Sequence, residues 1–359
     1  MSRILPRVRN EPLPSAEQAD PDLRTVPAKG IIQRLFSGTA SWVFLIDIAL
    51  IIVFATLSSQ HSFLSLTNVQ ALLLGGTEAL LLSLGLALLL GAGIIDFSLG
   101  ANLVVSSVTG GIAIQHITGS FSAQGSYHAL GWAVFLGLAA SIATGVLFGL
   151  VNGLAISYVG INPLIATLGT AGIGTGIALV ITNGGDISGL PAQLQQDVGL
   201  KTVADIPLPA FVAILLAVVM FLIIRFTRFG MRSLAMGSSR AAAERSGINV
   251  RLHALRLTML AGAFAGLAGF VDIARFGATT TSGHANDALN ALTAVIIGGT
   301  LLEGGRVSII GAIWGTALAV TLQEGLVVIG VQAFYQLIAV GVVLIVAVSV
   351  DRFRYRRRA

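Results

Sequence analysis

Residues 225–256 read RFTRFGMRSLAMGSSRAAAERSGINVRLHALR, with seven arginines (Arg225, Arg228, Arg232, Arg240, Arg245, Arg251, Arg256) and one acid, Glu244. Long apolar runs lie on both sides, at 209–226 and from 255 onward. Arginines clustered between two apolar spans mark the cytoplasmic side of a membrane protein. The island therefore orients the chain. Its centre is a small-residue run, Ser238-Ser239-Arg240-Ala241-Ala242-Ala243-Glu244-Arg245-Ser246-Gly247-Ile248, a surface on which another chain can push.

Working outward, the composition is that of a bilayer protein: 359 residues, 55% hydrophobic, 10% charged, with a mean hydropathy of +0.89. At about 1.5 Å per residue, runs of roughly 18 or more apolar residues cross a bilayer as helices. The pattern predicts an all-α polytopic membrane protein with about ten transmembrane helices, broken or partial helices included. Expected spans are 41–59, 69–91, 98–117, 130–157, 162–182, 209–226, 255–276, 287–301, 307–329 and 332–350. The eighth is short enough to be partial or re-entrant. Continuous apolar runs without period-two alternation argue against a transmembrane β-barrel. Abundant Gly, Ala and Ser suit close helix packing in lipid.

An even number of spans puts both termini on one side, together with the loop after span six. Of the 21 Lys and Arg, six precede residue 35, seven lie in the island and five follow residue 351. All three clusters then face the cytoplasm, as the positive-inside rule requires. The expected organisation is a flexible cytoplasmic tail at 1–40, a transmembrane domain at 41–350 and a basic cytoplasmic tail at 351–359. The first apolar stretch begins near Ser41 without a small-residue cleavage pattern behind it, so no signal peptide is expected. The basic charge flanks spans and is not interleaved with aromatics, which excludes a nucleic-acid partner.

Two external segments are polar: 183–209 and 118–128. Each reads either as a solvated connection or as a docking rim for an external partner.

Catalysis by this chain is not expected. Cysteine is absent, so there is neither a disulfide framework nor a thiolate metal site. The five histidines lack metal-ligand spacing. The only lysines, Lys29 and Lys201, stand outside any G-x-x-x-x-G-K-[ST] phosphate loop, so no Walker-type ATP hydrolysis is possible. No cofactor is implied.

Three further segments break the apolar pattern. In Gly91-Ala92-Gly93-Ile94-Ile95-Asp96-Phe97-Ser98-Leu99-Gly100, glycines permit a broken helix whose freed backbone groups need polar surroundings. Asp96 reads as a cap on the span beginning near Ser98, or as a carboxylate beside a transport path. In Asn162-Pro163-Leu164-Ile165-Ala166-Thr167-Leu168-Gly169-Thr170, Asn162 caps a helix with Pro163 in its first turn. Thr167 and Thr170 share one face, and their hydroxyls are expected on their own helix's carbonyls. In Gly298-Gly299-Thr300-Leu301-Leu302-Glu303-Gly304-Gly305-Arg306, Glu303 and Arg306 read as a local i, i+3 pair. Asp272 and Arg275 read the same way. Glu78 is a mid-span acid without a sequence neighbour, directed to the bundle interior.

Taken in order with the island, these motifs resemble the inner-membrane permeases of bacterial ATP-binding-cassette importers for ribose and other monosaccharides. The resemblance covers residues 65–352. The family's G-G-I-D-L-S-V-G is matched from Gly93 to Gly100, its P-F-I-x-T-L-G from Pro163 to Gly169. Its E-A-A-x-x-S-G-I is matched from Ala241 to Ile248, and its G-G-T-S-L-x-G-G from Gly298 to Gly305. Four departures stand out: Ile94 for a glycine, Leu164 for an aromatic, Leu301 for a small polar residue and Ala241 for a glutamate. The first stiffens or widens the broken segment, and the last removes one possible anchor to an ATPase.

The resemblance implies a multi-pass permease of the bacterial inner membrane, without enzymatic activity of its own. It implies a separate ATPase subunit, a periplasmic sugar-binding protein and a second permease copy or paralogue, with the passage between the two. ATPase coupling then falls on Arg240, Ala241, Ala242, Ala243, Glu244, Arg245, Ser246, Gly247 and Ile248. Translocation-path or broken-helix candidates are Glu78, Gly93, Asp96, Ser98, Asn162, Pro163, Thr167, Thr170, Gly298, Gly299 and Thr300. The competing reading is an ion-coupled secondary transporter of a small polar solute, with Glu78 and Asp96 as midplane carboxylates. A passive channel is a third. Neither needs the basic, alanine-rich loop.

Overall fold

The computed structural model describes residues 39–119 and 130–332, with isolated positions between 335 and 342. Nearly all of the tail expected at 1–40, most of the polar segment at 118–128, most of the tenth expected span and the basic C-terminal tail lie outside the described residues.

Among the described residues the chain is helical almost throughout. Helix α1 is Thr39–Leu57, α2 Leu66–Gly91, α3 Leu99–Thr118, α4 Leu130–Leu154 and α5 Pro163–Ile181. They are followed by α6 Leu208–Phe226, α7 Arg228–Ser238, α8 Arg240–Arg245 and α9 Val250–Phe276. The last two are α10 Asp287–Ile297 and α11 Ile309–Val328. Polar residues start many of them. Ser65, Asn162, Thr227, Ser239, Asn249 and Ser308 each accept a backbone N–H of the following first turn. Such caps satisfy donors that have no intrahelical partner.

Seven helices are long and apolar enough to cross a membrane: α1, α2, α4 with its π-helical extension to Val159, α5, α6, α9 and α11. The spans expected at 98–117 and 287–301 are also helical, as α3 and α10. However, α3 falls short in apolarity and α10 in length. A count of about ten crossings is therefore not reached among the described residues.

The centre of the bundle is α2 with α9. Residues 80–91 of α2 are all buried, and seventeen residues of α9 are. A helix apolar on every side must be wrapped by others. Around α9 lie α3 and α4; the α4 contact is a small-residue seam. A side chain on Gly145 or Gly149 would collide with the backbone of Gly262 or Thr258. In lipid, where there is no hydrophobic drive between helices, such close backbone approach supplies the packing energy. On the other flank α11 packs on α1, α10 and α2. Helices α5 and α6 are peripheral, showing apolar side chains such as Ile165, Ile173, Leu215 and Val218.

The island is built from α7 and α8, joined by the extended Ser239. Opposite it, residues 183–207 form a helical turn at Ala192–Leu194, a π turn at Gln195–Gly199 and a small hairpin. The hairpin pairs Thr202 with Pro207 and Val203 with Ile206, antiparallel. The left-handed Ala204 and Asp205, with φ 51 and 64, make its two-residue turn. Two positive φ values in succession match the twist of a tight hairpin.

Candidate functional site

On the island side, three segments far apart in sequence meet at backbone distance. The Gly305 N–H donates to the Gly91 carbonyl at 3.0 Å, joining the loop before α11 to the end of α2. Gly237, in the last turn of α7, fits into this junction. A Cβ there would collide with the Gly91 carbonyl oxygen and stand 2.5 Å from the Gly305 nitrogen. Only a residue without a side chain allows the three strands of chain to touch. A cleft of about 290 Å³ opens beside the junction, lined among others by Gly93, Ile94, Pro163, Gly237, Arg240 and Glu303.

Helix α8 projects from this junction. Ser239 starts it, accepting the Ala242 N–H at 3.3 Å. Ala243 is buried and fastens the helix to the bundle, while Ala241, Ala242, Glu244, Arg245, Ser246 and Gly247 are exposed. Gly247 ends it at φ +85, where the Ile248 N–H closes back on the Ala243 carbonyl at 3.1 Å. That left-handed closure suits glycine. Arg240 and Glu244 pair at 3.6 Å, but both are more than half exposed, so the pair contributes at most about 0.5 kcal/mol.

Residues 92–98 leave the helical path, as the glycines predict. Asp96 Oδ1 accepts the Ser98 N–H at 2.7 Å and the Ser98 hydroxyl at 2.5 Å. Asp96 thus accepts the N–H of Ser98, the residue that precedes α3, while Ser98 itself makes no capping bond. Asn152 of α4 extends the network. Its Nδ2 donates to Ser98 Oγ at 2.7 Å and to Asp96 Oδ2 at 3.4 Å. Its Oδ1 accepts the Thr170 hydroxyl at 2.7 Å. Thr167 donates to its own helix, to the Pro163 carbonyl at 2.8 Å, and accepts the Phe97 N–H at 3.2 Å. Both threonines therefore bond within α5 and also beyond it, Thr167 to the broken segment and Thr170 to Asn152 of α4. Asn152 was absent from the sequence reading, because one asparagine near a helix end has no motif around it.

The glycine pair 298–299 and Thr300 are buried behind the junction. Thr300 Oγ1 accepts the Ser308 N–H at 3.1 Å, closing the loop before α11. The expected pair Glu303–Arg306 does not form among the described residues. Both side chains are exposed, and the left-handed Gly304 and Gly305 between them take the chain out of the helical path that i, i+3 pairing needs.

Toward the opposite side lies a second, charged cluster. Arg275 Nη1 stands 3.4 Å from Glu78 Oε1, across α9 and α2. Asp272, fully buried, instead faces Thr280 at 3.2 Å and His284 Nε2 at 3.3 Å. The expected Asp272–Arg275 neutralisation is thus replaced by two separate partnerships, and Glu78 gains the partner its sequence lacked. One turn of helix gives adjacency, but which neighbouring helix offers a countercharge is set by packing. The other imidazole nitrogen of His284, Nδ1, is 2.6 Å from Asp287 at the start of α10. Three acids thereby share one guanidinium and one imidazole, the imidazole held between two carboxylates. Breaking up such a buried set strands a charge, which costs far more than the set contributes. Among the described residues no group of His, Asp and Glu is arranged to hold a metal.

The polar segment 183–207 is tied to this cluster. Asp186 Oδ1 accepts the Thr281 N–H at 2.7 Å and its hydroxyl at 2.8 Å. Thr279 and Ile187 exchange two bonds, at 2.8 and 2.9 Å. Gln195 Nε2 donates to the Arg275 carbonyl at 2.6 Å. Asp47, a buried acid in α1, was also passed over in the sequence, although a lone carboxylate in an apolar run is the same signal that marked Glu78.

The bundle combines seven helices long and apolar enough to cross a membrane with a chain that leaves the helical path at 92–98, an eleven-residue helix α10 and the short, exposed helix α8, the architecture of a polytopic helical membrane protein. The chain belongs to the family described as branched-chain amino acid transport system / permease component, which matches residues 68–348. It is 38% identical over 203 residues to the ribose import permease protein RbsC of Bacillus subtilis (strain 168), covering 56% of this chain and 63% of that relative, under two thirds of its length. Against the D-allose transport system permease protein AlsC of Escherichia coli (strain K12) it is 28% identical over 86% of this chain and 90% of the relative. The galactose/methyl galactoside import permease protein MglC of the same strain is 28% identical over 92% and 98%. No solved structure matches.

Proposed function

We propose that this chain is the permease subunit of an ATP-driven importer and forms the passage for a monosaccharide across the bacterial inner membrane. The observation that carries this reading is the junction of Gly91, Gly237 and Gly305. It connects the exposed helix α8 directly to the broken segment before α3 and to the loop after α10. A push on α8 therefore reaches both interruptions of the bundle at once, which is what coupling to an external engine requires. The chain carries no phosphate loop, so the engine is a separate ATPase subunit docking on residues 240–248. Relatives that import ribose, allose and galactose support the solute class.

On the other face, a periplasmic sugar-binding protein docks on residues 183–207. The Asp186–Thr281 and Thr279–Ile187 bonds carry that contact into the re-entrant loop at 277–286. A second permease copy or paralogue completes the passage, and both termini lie in the cytoplasm with the island. An ion-coupled mechanism is disfavoured by the geometry, since Glu78 is tied to Arg275 and Asp96 to Ser98 and Asn152.

The test is sugar uptake into proteoliposomes holding the permease, its ATPase and the binding protein. Uptake is expected to require ATP and the binding protein and to survive an ionophore. Uptake that collapses with the ionophore and persists without the ATPase would refute the reading.

A further inference from the structure

Helix α10 has eleven residues, about 16 Å at 1.5 Å per residue. Its C-terminal end runs into the loop that joins the island-side junction. Its first turn therefore lies about halfway across a hydrocarbon core of about 30 Å. One face, with Ala288, Ala291, Leu292, Ala294 and Val295, is buried against the bundle. The opposite face carries Asn286 and Asn290, both exposed, and the partly exposed Thr293. The spacing i, i+4, i+7 places all three on one stripe. Asn286 makes no capping bond, and among the described residues neither asparagine side chain has a hydrogen-bond partner. The Thr293 hydroxyl donates to the Leu289 carbonyl at 2.8 Å, leaving its oxygen free to accept.

Along the peripheral helices α5 and α6 many large exposed side chains are apolar, such as Ile173, Leu215 and Val218. Two unpartnered carboxamides facing hydrocarbon would be costly. They need water, a solute or another protein surface.

We propose that Asn286, Asn290 and Thr293 line the solute passage and hydrogen-bond the hydroxyls of the sugar as it crosses the midplane. Discontinuous helices at the midplane are where transporters commonly expose solute-binding groups. The stripe carries donors and acceptors without net charge, which matches a neutral polyhydroxyl solute. The Asp272–His284–Asp287 contacts hold the first turn of the helix in place, so the stripe is presented by a fixed support.

This assignment rests on the sugar-permease reading, and its test separates the two. The chain has no cysteine, so single cysteines at Asn286, Asn290 and Thr293 are probed in the complete importer with a water-soluble, membrane-impermeant methanethiosulfonate. Cysteines at Leu215 and Val218 serve as lipid-facing controls. Labelling at the three stripe positions, absent at the controls and blocking transport, is expected. Stripe cysteines that resist the reagent, or that cross-link two permease copies without reacting with it, would overturn the proposal. The second measurement uses Asn286→Leu with Asn290→Leu. Uptake should fall by about tenfold for each lost hydrogen bond, while binding-protein-stimulated ATP hydrolysis continues. Uptake at the wild-type rate refutes the role. If the wild-type importer carries no sugar, the function reading fails on its own, and the thiol pattern still reports whether the stripe faces water.

Discussion

Replacing Gly237 with alanine tests directly the coupling proposed for the junction. The added methyl meets the Gly91 carbonyl oxygen, and the Gly305 nitrogen at 2.5 Å. Both are backbone atoms of other segments, so no side chain can rotate away. The junction must open by about 1 Å to reach ordinary contact, and overpacking of this kind costs about 1–3 kcal/mol. Opening also stretches the 3.0 Å bond from Gly305 to Gly91, worth about 1 kcal/mol net. A shift of about 2 kcal/mol in the closed junction changes its population roughly thirtyfold. The readout is sugar transported per ATP hydrolysed in proteoliposomes containing all subunits. Hydrolysis should continue while that ratio falls severalfold or more, because α8 remains available to the ATPase but no longer drives residues 92–98. Met231→Ala on the exposed face of α7 should leave the ratio unchanged. A Gly237→Ala permease with wild-type coupling and wild-type thermal stability would show that the contact transmits nothing.

Three further expectations concern other parts of the molecule. Gly247→Pro removes the N–H that closes on the Glu244 carbonyl at 3.0 Å and forbids φ +85; uptake should vanish while the protein still inserts, and normal uptake would free α8 of its role. Arg275→Leu leaves Glu78 and its surroundings with an uncompensated charge and should destabilise by about 3 kcal/mol, read as a lower unfolding temperature in detergent; the paired change with Glu78→Gln should recover much of the loss. Asp186→Ala cuts both bonds to Thr281 and should weaken stimulation of ATP hydrolysis by the binding protein severalfold. Basal hydrolysis should stay unchanged, so equal stimulation in the variant would rule out a relay through Thr281.

Several features were legible before any coordinates because they depend on local chemistry. Asn162-Pro163 starts α5, as side-chain capping and the fixed backbone angle of proline dictate within a few residues. The interruption at 92–98 follows from its glycines in the same way. The charged residues were misassigned where neighbours in sequence were taken for neighbours in space. Asp272 and Arg275 lie one turn apart on α9, yet each finds its partner on a different segment, His284 and Glu78. The polar stripe of α10 escaped notice because three uncharged residues in an apolar run carry no signal until their exposure is known.

Apolar length and the placement of arginines determine by themselves that this chain is a helical membrane protein, and the four motifs, as a resemblance, implied a permease. Those properties are set by transfer from water to lipid and by local backbone preference, both of which read along the chain. Only the tertiary structure decided that three glycine-bearing segments form one junction beside the exposed helix α8, and that the buried charges pair across helices. Contacts between residues separated by up to about two hundred positions depend on how helices pack, and helix packing depends on shape complementarity that no single segment contains.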